Sequence, residues 1–408
     1  MSAARIEEGR MARDIEAIAA CSETDPRIGY GRPTFSPAWR RARDYVIERA
    51  AEAGAAARID AAGNVHARSP GLEAGQKAWL CGSHIDSVPT GGKFDGVVGV
   101  VVALEVLRAA PEAPMELIVF AEEEGTTFGL GMVGSRAWAG TLPPEKLRLL
   151  RNAEGQDYLA AGAEHGVAAE RLAAERLRPD EYLGLIEAHV EQGPAMWNAG
   201  QAVAVVTGIA GRRQFSCTLA GQANHAGATR MKDRRDALAG AAQAICALEA
   251  WAREMEGEQS ATVLTVGRLE LEPNAVNVIP GKATFTIDFR ARSDEILARG
   301  DIVLRALVAD IAARRGLDCR LSRTEELPAV SLDSGICSRL RDAARRRGVE
   351  APDAVSGALH DTAILAPFLP AAMLFVASEG GVSHNPAEFS RIEDVAQAAR
   401  IVAEAVRA

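Results

Sequence analysis

No stretch of the chain is long and apolar enough to cross a bilayer. The most hydrophobic run, Val97 to Leu107, is short and carries Glu105, whereas a spanning helix needs roughly 20 apolar residues. Met1 to Ala20 is charged throughout and lacks the apolar core of an export signal. A soluble, non-exported, cytoplasmic protein with no membrane partner is the expectation. Blocks of basic residues are missing too. With 46 Lys and Arg against 55 Asp and Glu, the net charge is −9, so nucleic acid is not an expected partner. Six cysteines, at positions 21, 81, 217, 246, 319 and 337, show no Cys-x-x-Cys spacing. They read as reduced, buried thiols rather than disulfides or a zinc ribbon. The glycines of Phe128-Gly129-Leu130-Gly131 do not follow a strand in the Gly-x-Gly-x-x-Gly pattern, which argues against a dinucleotide fingerprint.

What is present is a length of 408 residues with 48% hydrophobic and 25% charged content, a globular composition too long for one ordinary core. The chain is organised around Gly82-Ser83-His84-Ile85-Asp86 and Gly91-Gly92-Lys93-Phe94-Asp95-Gly96. Lys77 to Cys81 reads as a buried strand that runs out at His84, and Val97 to Leu107 as a helix that starts just after Asp95. Ligands bind at the carboxyl ends of strands in open α/β sheets. His84 and Asp95 therefore suit a metal site, with Asp86 orienting His84, although a strand-end histidine and a helix-capping aspartate are the plainer account of the pair alone.

Further along, a strand from Met115 to Ala121 runs into Glu122-Glu123-Glu124. In isolation that triplet reads as a solvated acidic turn; in a cleft it calls for a cation. Tyr182 to Val190 is a strand bearing His189, and His384 follows the apolar run Ala371 to Val376. Strand-end histidines at 84, 189 and 384, with Asp95 and the glutamates, make an imidazole and oxygen donor set suited to two zinc, manganese, nickel or cobalt ions. The other histidines read as plainer residues: His66 in a polar strand, His165 on the surface of a charged helical region over 143–181, and His360 as either an acid/base partner of Asp361 or a buried histidine.

From about Gly211 the pattern changes. Strands at Arg212–Leu219, Thr262–Leu271, Lys282–Arg290 and Asp318–Arg323, with helices at Asp233–Met255 and Asp294–Arg315, form a βαββαβ unit. Alternating helix and strand then return. The expected organisation is α/β, with a discontinuous domain over 1–211 and 326–408 and an inserted α+β domain over 212–325.

At this point the chain resembles the hydantoinase/carbamoylase branch of the M20 metallo-amidohydrolases. The stretches above carry the likeness, together with Ala223-Asn224-His225-Ala226-Gly227, Asn274-Ala275-Val276-Asn277-Val278-Ile279-Pro280, Asp288-Phe289-Arg290 and Ser383-His384-Asn385-Pro386. The resemblance implies a dimetal catalytic domain with a central mixed sheet flanked by helices. It implies two divalent ions per subunit, zinc first and manganese, nickel or cobalt as alternatives, one held by His84, Asp95 and His189 and the other by Asp95, Glu124 and His384. Glu123 would be the general base and His225 the oxyanion partner. Gln192, Gln214, Asn277, Arg290, Gly357 and Ala358 would line the substrate site, Arg290 gripping a carboxylate. The inserted domain would act as lid and as homodimer interface. His189 in place of an acidic third ligand points toward the carbamoylase branch and away from M20 carboxypeptidases and aminoacylases. Leu359, Ala377, Ala228, Arg230 and Gln214 depart from the usual family residues; none is a ligand, and all bear on substrate. Allantoate amidohydrolase and M20 aminoacylase or dipeptidase are the alternative activities, and a catalytically dead binding protein would have lost Glu123 or a ligand.

Overall fold

Runs of apolar residues without polar alternation form the central strands, as expected where a parallel sheet is covered on both faces. The structure, a computed structural model, describes residues 5–255 and 262–407. The chain divides into two compact units, one of residues 1–207, 332–354 and 360–408, the other of residues 208–331 and 355–359. Among the described residues no helix is long and apolar enough to cross a membrane.

The larger unit holds a mixed sheet whose strands lie in the order Ala56–Ile59, Val65–Arg68, Met115–Phe120, Ala78–His84, Tyr182–Val190, Ala371–Val376, Val203–Ile209. The four middle strands are mutually parallel, and the flanking ones are antiparallel. Every residue of Ala78–His84, Met115–Phe120 and Ala371–Val376 is buried. Because the middle strands run the same way, their carboxyl ends share one edge of the sheet. The helix Val97–Ala109 packs on this sheet and is buried almost all round. Its one carboxylate, Glu105, is fully buried, yet accepts hydrogen bonds from the Arg10 guanidinium at 2.8 and 2.7 Å and from the Glu7 N–H, the pairing that a buried charge requires.

The charged region over 143–181 is not a long helix. It is broken into short pieces, Pro144–Leu147 and Tyr158–Gly162 among them, because prolines at 143, 144 and 179 and glycines at 155, 162 and 166 punctuate it. His165 is correspondingly not a surface residue. It is buried, stacked 5.1 Å from Phe35 and edge-on to Trp39, and burial followed by the nearby Arg43 charge pushes its pKa down.

The smaller unit is a sheet ordered Leu269–Glu272, Lys282–Ala291, Gly211–Ala220, Asp318–Leu327, all antiparallel, with Val263–Thr265 also on Lys282–Ala291. The single strand expected over Thr262–Leu271 is thus two strands, and the break falls at Gly267, a residue that weakens a strand interior. The first helix starts at Ala237, after a short 3₁₀ turn at Met231–Asp233. Along Lys282–Ala291 burial alternates strictly. Phe285, Ile287 and Phe289 point with Phe215, Cys217 and Leu219 into a core closed by Ala237–Met255 and Asp294–Arg314. Each buried Phe contributes roughly 1.5–3 kcal/mol. The opposite face carries Gln214, Asp288 and Arg290, all half-buried.

All six cysteines are free thiols; Cys81, Cys217 and Cys337 are buried, Cys21 is half-buried, and Cys246 and Cys319 are exposed. The expectation of uniformly buried thiols fails for the last two, which lie on a helix and on the edge strand of the smaller unit.

Candidate dimetal centre and substrate face

The shared edge of the parallel strands gathers the expected ligands. His84 ends its strand, His189 is the penultimate residue of its own, and Glu123 and Glu124 follow Phe120. Asp95 lies between them. One carboxylate oxygen, Oδ1, stands 3.7 Å from His84 Nε2 and 3.2 Å from His189 Nε2. The other, Oδ2, stands 3.2 Å from His384 Nε2, which is also 3.4 Å from Glu124 Oε2. Two ligand sets result, His84/Asp95/His189 and Asp95/Glu124/His384, each with donor atoms within 4.8 Å of one another. Glu187, His189 and His360 form a third such group. Gly96 lets the first set close up: its φ is +66°, and a Cβ there would lie 2.5 Å from the His84 ring.

Both inner histidines are oriented by the main chain. His84 Nδ1 bonds to the Asp86 carbonyl and His189 Nδ1 to the Val190 carbonyl, each at 3.0 Å, which leaves Nε2 facing Asp95. The Asp86 side chain is therefore not the partner expected of it: its Oδ1 is 3.8 Å from the ring, and Oδ2 instead accepts the Glu124 N–H at 3.0 Å. Within the triplet the glutamates divide. Glu122, at φ +57°, accepts the Thr127 and Phe128 N–H groups and closes a turn, while Glu123 approaches His84 Nε2 at 3.7 Å.

Electrostatically the centre is overloaded with negative groups. Burial, then the charges of Glu124, Asp361, Asp86 and Asp95, raise the Glu123 pKa far above the usual carboxylate range. Burial, then Asp95 and Asp86, do the same to Glu124. Burial lowers His84 to about 4. At His189 burial also acts downward, but the adjacent Asp95 carboxylate, 3.2 Å away, outweighs it and holds the pKa at about 9. His189 Nε2 and Glu124 Oε1 are buried without a hydrogen-bond partner. Orphaned imidazole and carboxylate atoms facing one small space, with excess buried negative charge, are what divalent cations satisfy. The residues fit two such ions.

Gln192, also at positive φ, donates from Nε2 to Asp95 Oδ2 at 2.9 Å. The other expected substrate residues lie in the smaller unit and form two groups there. On the polar face of the sheet, Arg290 Nε donates to Asp288 Oδ1 at 2.8 Å, Gln214 Nε2 to Asp288 Oδ2 at 3.0 Å, and Arg290 Nη1 to the Gly357 carbonyl at 3.0 Å. Ala358 follows, its N–H bonded to Ser356 Oγ. The second group is a two-residue ribbon that pairs His225 with Val278. There His225 and Asn277 are exposed, and the Ala226 N–H bonds to the Asn277 carbonyl.

Residues 80–408 match the family described as peptidase family M20/M25/M40. The chain is 39% identical to an N-carbamoyl-L-amino acid amidohydrolase of Geobacillus stearothermophilus over 92% of each chain. It is 34% identical to an allantoate amidohydrolase of Escherichia coli strain K12 over 93% of this chain and 92% of that one. This protein belongs to the M20 family. A solved amidase of the hydantoinase/carbamoylase family from Burkholderia multivorans superposes with a TM-score of 0.89 at 33% identity, covering 98% of this chain and 97% of that one.

Three acidic residues that bond the expected site residues or their neighbours escape sequence reading. Glu187 is fully buried and accepts from Ser83 Oγ and Thr362 Oγ1. Asp288 holds the Arg290 guanidinium. Glu388 accepts the Asp95 N–H at 3.0 Å. Each lies inside a stretch whose signal came from a neighbour, His189, Arg290 or His384, and an acidic residue near such a neighbour is the only sequence cue.

Proposed function

We propose that this M20 chain is a two-metal amidohydrolase that cleaves the carbamoyl C–N bond of an N-carbamoyl-L-amino acid or related ureido acid. The observation that carries this is Asp95, whose two carboxylate oxygens each face a separate histidine-containing donor set. His84, Asp95 and His189 would hold one ion, and Asp95, Glu124 and His384 the other. Zinc is the first candidate, and manganese, nickel or cobalt would suit the same donors. Bound there, the ions would act as Lewis acids that polarise the carbonyl and make a water more acidic.

Glu123 serves as general base. Its high proton affinity, set by burial and the surrounding carboxylates, suits it to take the proton of the attacking water and pass it to the leaving nitrogen. Arg290 holds the substrate carboxylate with the N–H groups that Asp288 and the Gly357 carbonyl leave over, helped by Gln214, Asn277 and the Gly357–Ala358 backbone; Gln192 also contributes, and His225 stabilises the oxyanion. Residues 212–325 act as lid and homodimer interface beside a catalytic domain of 1–211 and 326–408. Six free cysteines are in keeping with a cytoplasmic setting. The names of the relatives support the ureido substrate class.

Release of amino acid and ammonia from a panel of N-carbamoyl-L-amino acids, 3-ureidopropionate, allantoate and N-acyl amino acids tests this reading. Turnover confined to the N-acyl compounds or to dipeptides overturns it. Within the panel, Arg290→Ala is expected to raise KM by the loss of a charged hydrogen bond, about 1.5–3 kcal/mol.

A further inference from the structure

Four of the five proposed ligands are shielded: the side chains of His84 and His189 are 1% exposed, Asp95 4% and Glu124 7%, but that of His384 is 49% exposed. His384 also sits at φ +53°, a conformation that costs a non-glycine residue energy unless its surroundings enforce it. Something must hold this loop against Asp95. Glu388, 3% exposed, is built to do so. Its Oε2 accepts the Phe94 and Asp95 N–H groups at 2.8 and 3.0 Å, and its Oε1 accepts the Ser383 hydroxyl at 2.9 Å. The same hydroxyl lies 3.1 Å from Asp95 Oδ2. Gly92 makes the approach possible, since a Cβ on it would fall 2.2 Å from Glu388 Oε2 and 2.3 Å from Glu388 Cβ. Edge-on packing of Phe94 and Phe389, 5.9 Å apart, ties the two loops at a second point.

We infer that Glu388 is a positioning residue that clamps the Asp95 loop to the Ser383–His384 loop and so sets chiefly the spacing of the Asp95/Glu124/His384 ion site, the one that draws ligands from both loops. The inference rests on the two-ion reading above. One carboxylate spans both loops, whereas His84 and His189 are held by strand ends and main-chain carbonyls and do not depend on it.

Cobalt(II) titrated into the metal-free full chain, followed by visible absorption and calorimetry, tests the clamp. The unsubstituted protein is expected to take up two ions. In Glu388→Ala one ion binds about 10–100-fold more weakly and the other is weakened far less, while Glu388→Gln, which keeps an acceptor for the two N–H groups, recovers most of the loss. Equal weakening of both ions, or two undisturbed ions in a folded Glu388→Ala protein, overturns the inference. If Glu388→Ala does not fold, Gly92→Ala, which drives a methyl into the carboxylate, takes its place with the same expectations. His384→Ala separates the two levels. When the unsubstituted protein binds two ions and His384→Ala one, the two-ion reading stands and the Glu388 variants judge the clamp by themselves; fewer than two ions in the unsubstituted protein removes both.

Discussion

Two buried clusters of histidine and carboxylate lie in the larger unit, and they are wired oppositely. His66 spends both ring nitrogens on carboxylates, Nδ1 on Glu116 at 2.6 Å and Nε2 on Asp60 at 3.1 Å. Tyr182 donates to the same Glu116, Arg58 and Arg68 stand 3.7 Å from it, and Trp138 covers the ring edge-on. At the strand-end centre, His84 and His189 give Nδ1 to main-chain carbonyls and turn Nε2 toward Asp95, with His189 Nε2 left unbonded. Both clusters are buried and both are rich in acid. The first is internally saturated; the second leaves His189 Nε2 and Glu124 Oε1 buried without a hydrogen-bond partner. Which ring nitrogen is left over, rather than composition or burial, separates a structural cluster from a candidate metal site.

The largest effect that could break this contrast is metal removal. Chelation is expected to abolish activity, with recovery on adding zinc, manganese, nickel or cobalt, because every proposed ligand acts only through an ion. Elemental analysis beside the activity assay checks it, and full activity in metal-free protein would erase the distinction between the clusters. Next comes Glu123→Gln, which keeps shape but cannot accept the proton. It should bind the same metals yet lose about a hundred- to ten-thousand-fold in kcat, and metal content measured with kcat tests both halves.

His66→Ala sharpens the comparison from the other side. Removing one partner of a buried ion pair should cost about 3–5 kcal/mol of stability, read by denaturant unfolding, while the folded variant keeps its metal content and kcat. Parallel loss of metal would mean that the clusters are not independent. The smallest effect is on pH. Burial acts downward on His66, but the hydrogen bonds and charges of Asp60 and Glu116 prevail and raise its pKa above 6.5. Burial acts upward on Glu116, but His66, Arg58 and Arg68 prevail and lower its pKa below 4.5. A raised imidazole stabilises fully below its ordinary pKa and loses that contribution as pH rises through the folded value. A depressed carboxylate stabilises above its ordinary pKa and loses that as pH falls through its own. The cluster therefore contributes most between pH 4.5 and 6.5. His66→Phe should flatten the alkaline side of the stability profile in urea melts at a series of pH values, and an unchanged slope would remove the charge from the cluster.

The strand-end residues of the candidate site were legible because parallel strands covered on both faces are apolar throughout, so a histidine or acid at the end stands out. Ala78–His84 and Met115–Phe120 announce His84 and Glu123 in this way. His66 was not legible, because its partners make the difference and Glu116 lies in another strand. Glu388 is harder still, since the N–H groups it accepts lie 293 and 294 residues away. Nor does the triplet reveal from its own letters that Glu122 turns back to cap Thr127 and Phe128; that depends on the backbone sign at one residue. The helical reading of 143–181 holds only as short pieces, because its prolines and glycines interrupt it.

The smaller unit includes the short piece 355–359 besides 208–331, so the chain passes between units at 207/208, 331/332, 354/355 and 359/360. Anyone building chimaeras from M20 chains inherits that topology. A transplant of 208–331 alone would carry Arg290 away from the Gly357 carbonyl that one arm of its guanidinium holds, and the donor arginine would meet whatever pentapeptide the recipient supplies. With Arg290 holding the substrate as proposed, substrate preference should follow the short segment as much as the long one, which makes 355–359 a compact stretch in which to exchange specificity between relatives.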